Sequence, residues 1–136
     1  MGTADLLTSL LKGVSRSFYL SLAVLPKSLR TPVGVAYLLA RAADTIADAR
    51  VVSREERLRH LEALRAELRE EAAADLAEII QASASPNLHA GERELLQRLP
   101  ECVALYRELE KADRERVQAV LLTLTEKGFI LAGNAT

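Results

Sequence analysis

The chain has 136 residues, 49% of them hydrophobic and 27% charged, and a formal net charge of -1. That is the length of one domain and the composition of a folded one, which excludes intrinsic disorder and a nucleic-acid binder driven by bulk positive charge. Aromatic residues make up only 4%, Trp is absent, and leucine and alanine are abundant, so helix is expected and a β-sandwich or barrel is not.

Leu6, Leu7, Leu10 and Leu11 set a helical spacing over residues 4–12, with Thr3 as cap and Gly13 as an end or interruption. A second apolar-periodic segment runs from Ser15 to Leu25 and stops before Pro26. The third has Thr31 as its cap and Pro32 at its first position, and runs to about Ala49. Val51-Val52 is a short break. Ser53-Arg54-Glu55-Glu56 is a capping box. It opens an amphipathic helix through Leu58, Leu61, Leu64 and Leu68, which continues past an irregularity at Ala72-Ala73-Ala74 to Ile79-Ile80. Residues 83–87, SASPN, read as a loop. Helices follow from about Gly91 to Leu99, from Pro100 to about Lys111, and from a cap at Asp113 through Val117, Val120, Leu121 and Leu124. The expected fold is all-α, one helical bundle of six or seven helices over residues 1–136. The charges on 53–82 and 113–125 read as solvated faces, with His60 exposed among them. Cys102 and Tyr106 share an i,i+4 face and read as core.

Cys102 is the only cysteine, so there is no internal disulfide or cysteine-based zinc site, and a reducing compartment is expected. As a nucleophile it would need a base, and His60 and His89 sit in no recognisable arrangement with it. A small buried apolar residue is the other reading. The longest apolar stretch, residues 33–40, is far short of the roughly 20 needed to cross a membrane. The N-terminus lacks a basic leader, and Leu6 stands where N-acylation of Gly2 calls for Ser or Thr. A cytoplasmic protein is expected, with peripheral contact to the inner membrane.

The chemistry concentrates in residues 15–48, SRSFYLSLAVLPKSLRTPVGVAYLLARAADTIAD. At 100° per residue, Arg41, Asp44 and Asp48 fall within about 60° of one another around Tyr37, and Leu38, Leu39, Ala42 and Ile46 occupy the opposite side. One stripe therefore carries a phenol, a guanidinium and two carboxylates. An amphipathic surface helix explains part of this, since Arg41 and Asp44 form an i,i+3 pair of about 0.2–0.5 kcal/mol. Asp44 and Asp48, however, repel at i,i+4 by a similar amount, and both lie near a helix C-terminus, where negative charge is disfavoured. A cation between them would account for the pair. Mg²⁺ suits it, because it commonly takes one or two carboxylates and completes its shell with substrate phosphates and water. Upstream, Arg16, Ser17 and Ser21 offer a guanidinium and hydroxyls to phosphate oxygens, beside Phe18 and Leu22 as apolar lining. A helix start capped by Ser15 explains the same residues without a ligand. The first 43 residues carry Lys12, Arg16, Lys27, Arg30 and Arg41 against Asp5 alone.

VSRSFYLSLAVLP followed by LRTPVGVAYLLARAADTIAD resembles the N-terminal signature of the squalene/phytoene synthase family, strongly over residues 10–50 and weakly beyond. The resemblance implies the isoprenoid synthase fold and a prenyltransferase that joins two farnesyl or geranylgeranyl diphosphates head-to-head through a cyclopropyl intermediate. That reaction serves isoprenoid, hopanoid or carotenoid biosynthesis. It implies Mg²⁺ on Asp44 and Asp48 as the first aspartate-rich motif, and NADPH if squalene is formed. Ser17 and Arg41 match diphosphate-binding positions, Arg16 a basic position beside them, and Phe18 and Tyr37 the cavity wall. Catalytic roles then fall to Asp44, Asp48 and Arg41. Substrate binding falls to Arg16, Ser17, Phe18, Ser21, Tyr37 and Arg41.

The family's second aspartate-rich motif lies in a C-terminal half that this chain does not carry. Thr123-Leu124-Thr125 fits the family pattern, Gly128 comes one residue late, and the tail over 126–136 departs from it. The chain therefore reads as an N-terminal half, with a second copy or a C-terminal half as expected partner and no nucleic acid. A non-catalytic prenyl-diphosphate or subunit-binding module and a plain helical interaction domain stay as alternatives.

Overall fold

A computed structural model describes the backbone of residues 6–134 and side chains through Glu126. Among the described residues there are eight α-helices and no strand. A π-helical turn, Leu6–Leu10, leads into α1 (Leu11–Val14). There follow α2 (Arg16–Ala23), α3 (Lys27–Ala47), α4 (Arg54–Leu68), α5 (Leu76–Ser83), α6 (Ala90–Gln97), α7 (Leu99–Glu108) and α8 (Lys111–Asn134). The cap expected at Thr3 lies outside the described residues. No helix among the described residues is long and apolar enough to cross a membrane.

α3 is the hub, packing on α8, α7, α4 and α6. Its apolar side accounts for this: Leu38, Leu39, Ala42 and Ile46 are all fully buried, and each of the two leucines and the isoleucine is worth roughly 1.5–3 kcal/mol relative to exposure. Leu61, Leu64 and Leu68 of α4, Leu95 and Leu96 of α6, Cys102 and Tyr106 of α7, and Leu121 of α8 complete the same core. The core positions expected at Cys102 and Tyr106 are thus borne out. Burial pushes the Cys102 thiol up to about 12, so it stays protonated and is no nucleophile.

Two caps follow the sequence. Ser15 Oγ accepts from the Phe18 amide at 3.2 Å, and Ser53 Oγ accepts from the Glu56 amide at 3.2 Å. Other expectations need correction. α3 begins at Lys27, not at a Thr31 cap, so Pro32 lies inside the helix. Arg30 makes the earlier start workable by donating to the Leu25 and Ala23 carbonyls, both at 2.9 Å, which ties the first turn of α3 to the end of α2. Gly13 lies within α1 rather than ending it, α5 takes in Ser83, and α8 starts at Lys111 ahead of Asp113.

The helix expected over 53–80 is two helices. α4 closes in a Schellman motif: the Glu71 amide donates to the Ala66 carbonyl and the Glu70 amide to the Glu67 carbonyl, both at 3.0 Å. Glu70 takes the left-handed position at φ 61. α5 restarts on Asp75, whose Oδ1 accepts from the Glu78 amide at 3.1 Å. Nor are the charges of this region all solvated. His60 is 2% exposed, Arg57 6% and Glu67 4%. Arg57 donates to the Val52 carbonyl at 2.8 Å, and Glu67 pairs with Arg107 and accepts from the Ala74 amide. These contacts let ionic groups sit inside the bundle.

Candidate functional site

The polar stripe of α3 carries the site. Arg41 is half-buried, whereas Asp44 and Asp48 are exposed one turn apart. Asp48 is the residue just after the helix, and its amide donates to the Asp44 carbonyl at 2.9 Å. All three line one cavity of about 520 Å³ at the C-terminal end of α3. The facing walls come from Arg50, from Ser83 at the end of α5, from the loop after it, and from Glu92 in the first turn of α6.

Glu92 Oε2 lies 3.4 Å from an Arg41 guanidinium nitrogen. The buried Thr45 hydroxyl stands 3.1 Å from the Arg41 carbonyl and 3.4 Å from the same Glu92 oxygen. An acidic residue in the first turn of α6 is favoured by the helix dipole. The His89 ring caps that helix, accepting from the Gly91 amide at 3.1 Å. Gly91 then sets how closely α6 approaches. A Cβ there would fall on the Gly13 carbonyl oxygen and 2.6 Å from its carbon, so only glycine permits this contact between α1 and α6.

Burial raises the Asp44 carboxyl above its ordinary 3.8, and Asp48 adds to the rise; Arg41 opposes it and Glu92 reinforces it. Asp44 thus carries its charge against its own partial burial and against the neighbouring Asp48 carboxylate. Ser83 is 1% exposed, and its hydroxyl has no hydrogen-bond partner. Arg41 Nε is buried and equally unpartnered. An unsatisfied buried polar group costs about 1–3 kcal/mol, so two of them in one cavity wall mark a place where a ligand or water belongs.

Among the described residues no three of His, Cys, Asp and Glu converge as a cation cage. The donor set that does exist, Asp44 with Asp48, offers hard oxygens from two residues and leaves the other positions of a cation open. That fits an ion completing its shell with phosphate oxygens and water.

The remaining residues expected at the site sit elsewhere. Arg16, Ser17 and Ser21 are exposed on α2, and Ser21 Oγ donates back to the Ser17 carbonyl at 3.0 Å. Phe18 and Tyr37 stack with ring centroids 3.9 Å apart and an interplanar angle of 11°. They join α2 to the stripe one turn before Arg41, but neither lines the cavity. Sequence reasoning missed Thr45, Arg50, Ser83 and Glu92. Thr45 had a signal, one turn past Arg41. Glu92 had none, since 51 residues separate it from Arg41.

The family model for squalene/phytoene synthase matches residues 11–126. No curated protein and no solved structure gave a match. The matched span holds the whole stripe of α3 and every cavity-lining residue. With its all-helical architecture, the chain belongs to the squalene/phytoene synthase family, prenyltransferase-type enzymes of the isoprenoid synthase fold.

Proposed function

We propose that the cavity at the end of α3 binds the diphosphate of a polyprenyl substrate, with Mg²⁺ on Asp44 and Asp48. In this reading the chain supplies the first half of a head-to-head condensation of farnesyl or geranylgeranyl diphosphates. The observation that carries it is the convergence of Arg41, Asp44 and Asp48 on one cavity wall, with Asp44 raised by burial and by Asp48. Mg²⁺ bound there would neutralise the departing diphosphate. Asp44 and Asp48 hold the cation and are not general bases. Arg41 donates to phosphate oxygens, and the Ser83 hydroxyl has a free hydrogen to add. Leu88 and Val51 supply apolar lining at which a hydrocarbon tail can begin.

Arg16 and Ser17 stay candidate diphosphate contacts by family resemblance, and Ser21 by its hydroxyl on the same face. All three would need the substrate to extend along α2, past the Phe18–Tyr37 stack. NADPH enters only if the product is squalene. A second reading is a diphosphate-binding module that turns over only with a second copy or a C-terminal half. Its support is that the candidate cation seat has two carboxylates rather than a full cage.

Calorimetric titration of pyrophosphate with and without Mg²⁺ tests the site. Binding should require the cation and vanish in Asp44→Asn/Asp48→Asn; equal affinity in that variant removes the metal role. Incubation with farnesyl diphosphate, Mg²⁺ and NADPH, followed by hydrocarbon extraction, separates the two readings.

A further inference from the structure

Glu92 does something that diphosphate binding as such does not require. An anion site is served by guanidiniums and hydroxyls, yet this wall sets a carboxylate against Arg41 at 3.4 Å. Three carboxylates (Asp44, Asp48 and Glu92) and two guanidiniums (Arg41 and Arg50) line the cavity. The site is therefore net negative when empty. Glu92 is also firmly placed: Gly91 presses on the Gly13 carbonyl, and Thr45 lies within hydrogen-bond reach of the Glu92 carboxylate. The buried Ser83 hydroxyl on the facing wall has no protein partner, which leaves it to a polar occupant of the cavity, water or ligand. Glu92 stands outside any three-carboxylate cage, so its charge acts on the site through Arg41 and through the field, not as a cation ligand.

We infer that Glu92 is a selectivity residue that makes anion entry conditional on a divalent cation. It occupies Arg41 and keeps the empty cavity negative, so free diphosphate is repelled and the cation–diphosphate complex is admitted. This rests on the reading of the cavity as a diphosphate site. Without Glu92 the two guanidiniums balance the two aspartates, and bare diphosphate meets an unoccupied Arg41.

The test is the ratio of pyrophosphate affinities with and without Mg²⁺, measured by calorimetry on the whole chain. Glu92→Gln keeps the side-chain shape and an acceptor for Thr45 while removing the charge. Cation-free binding should tighten by on the order of tenfold, the effect of one charge several ångströms away in a partly screened wall, and the ratio should fall by as much. Glu94→Gln, which removes an exposed carboxylate of the same helix paired with Arg98, should leave the ratio unchanged. A wild-type ratio retained in Glu92→Gln overturns the inference while the diphosphate reading stands. An equal fall in Glu94→Gln overturns it too, because bulk charge would then suffice. No pyrophosphate binding by the wild type under either condition removes both. If Glu92→Gln unfolds, Glu92→Asp, which keeps the charge, should fold and retain the ratio; loss of the ratio in a folded Glu92→Asp overturns the inference.

Discussion

Replacing Gly91 by alanine separates packing from propensity by sign. Taken as a helix residue alone, the change should stabilise, since Gly in a helix costs up to about 1 kcal/mol relative to Ala. The structure demands the opposite. The new methyl would fall on the Gly13 carbonyl oxygen, 2.6 Å from its carbon and 3.1 Å from the Val14 nitrogen. These are backbone atoms and cannot rotate aside, so α6 must back away from α1. Overpacking of this kind costs about 1–3 kcal/mol. Set against a propensity gain of up to about 1 kcal/mol, the net loss reaches about 2 kcal/mol, or up to roughly 7 °C in Tm for a chain of this length. Gly13→Ala is the internal control. A Cβ at Gly13 meets nothing within 4 Å and the residue lies within α1, so this variant should melt at the same temperature or higher. Thermal unfolding followed by circular dichroism measures both. The displacement should also draw Glu92 from Arg41 and Thr45, because both contacts already stand at 3.4 Å. A rise in Tm for Gly91→Ala would refute the close approach of α6 and the placement of Glu92 built on it.

Glu70 sits at φ 61 as the left-handed cap of α4, so Glu70→Gly should stabilise by about 1 kcal/mol despite losing its 3.4 Å pair with Arg114; denaturant midpoints decide it, and destabilisation would count against the Schellman assignment. Burial holds the Cys102 thiol near 12, up from its ordinary 9.0. Stability from keeping it protonated is whole below the ordinary value and is lost as pH rises toward 12. Alkylation at mildly alkaline pH should therefore be slow in the native protein and fast in urea. Asp44 is raised by burial and by Asp48. Its contribution to stability is present below 3.8 and is lost as pH rises through the elevated value. Without Mg²⁺, Asp44→Asn should gain on the wild type as pH rises above 3.8, and parallel pH–stability curves would show that the carboxyl is not raised.

The helices were legible wherever a periodic apolar face and a local cap coincide. Ser15 and Ser53 cap as their positions suggest, and the opposition of Leu38, Leu39, Ala42 and Ile46 to the Arg41–Asp48 stripe is visible in the spacing alone. The break between α4 and α5 was less so, because a glutamate takes a position usually given to glycine and the restart signal, Asp75 three residues before Glu78, is weak. Pro32 suggested a helix start because nothing local reveals that Arg30 reaches back to the carbonyls closing α2. His60 looked exposed among charges, yet the packing of α4 against its neighbours leaves it 2% accessible. The site divides the same way. Arg41, Asp44 and Asp48 lie on one helix and share a face by geometry. Their counterparts Ser83 and Glu92 arrive only through the packing of α5 and α6, which no periodicity encodes.

The placement of the aspartate pair follows from how unequal the two faces of α3 are. Asp44 and Asp48 repel each other by about 0.2–0.5 kcal/mol and sit at the wrong end of the helix dipole, a loss of similar size. The opposite face buries Leu38, Leu39, Ala42 and Ile46 completely, and any one of the larger side chains there outweighs both penalties. A helix anchored this strongly can carry carboxylates that local stability disfavours. A short surface helix such as α2, which buries only Leu22 fully, has far less apolar burial to offset the same pair. The hub of the bundle is therefore where a cation-binding stripe costs the fold least. α6 packs on this hub and sets Glu92 against Arg41, so the electrostatics of the cavity exist only once the bundle has closed.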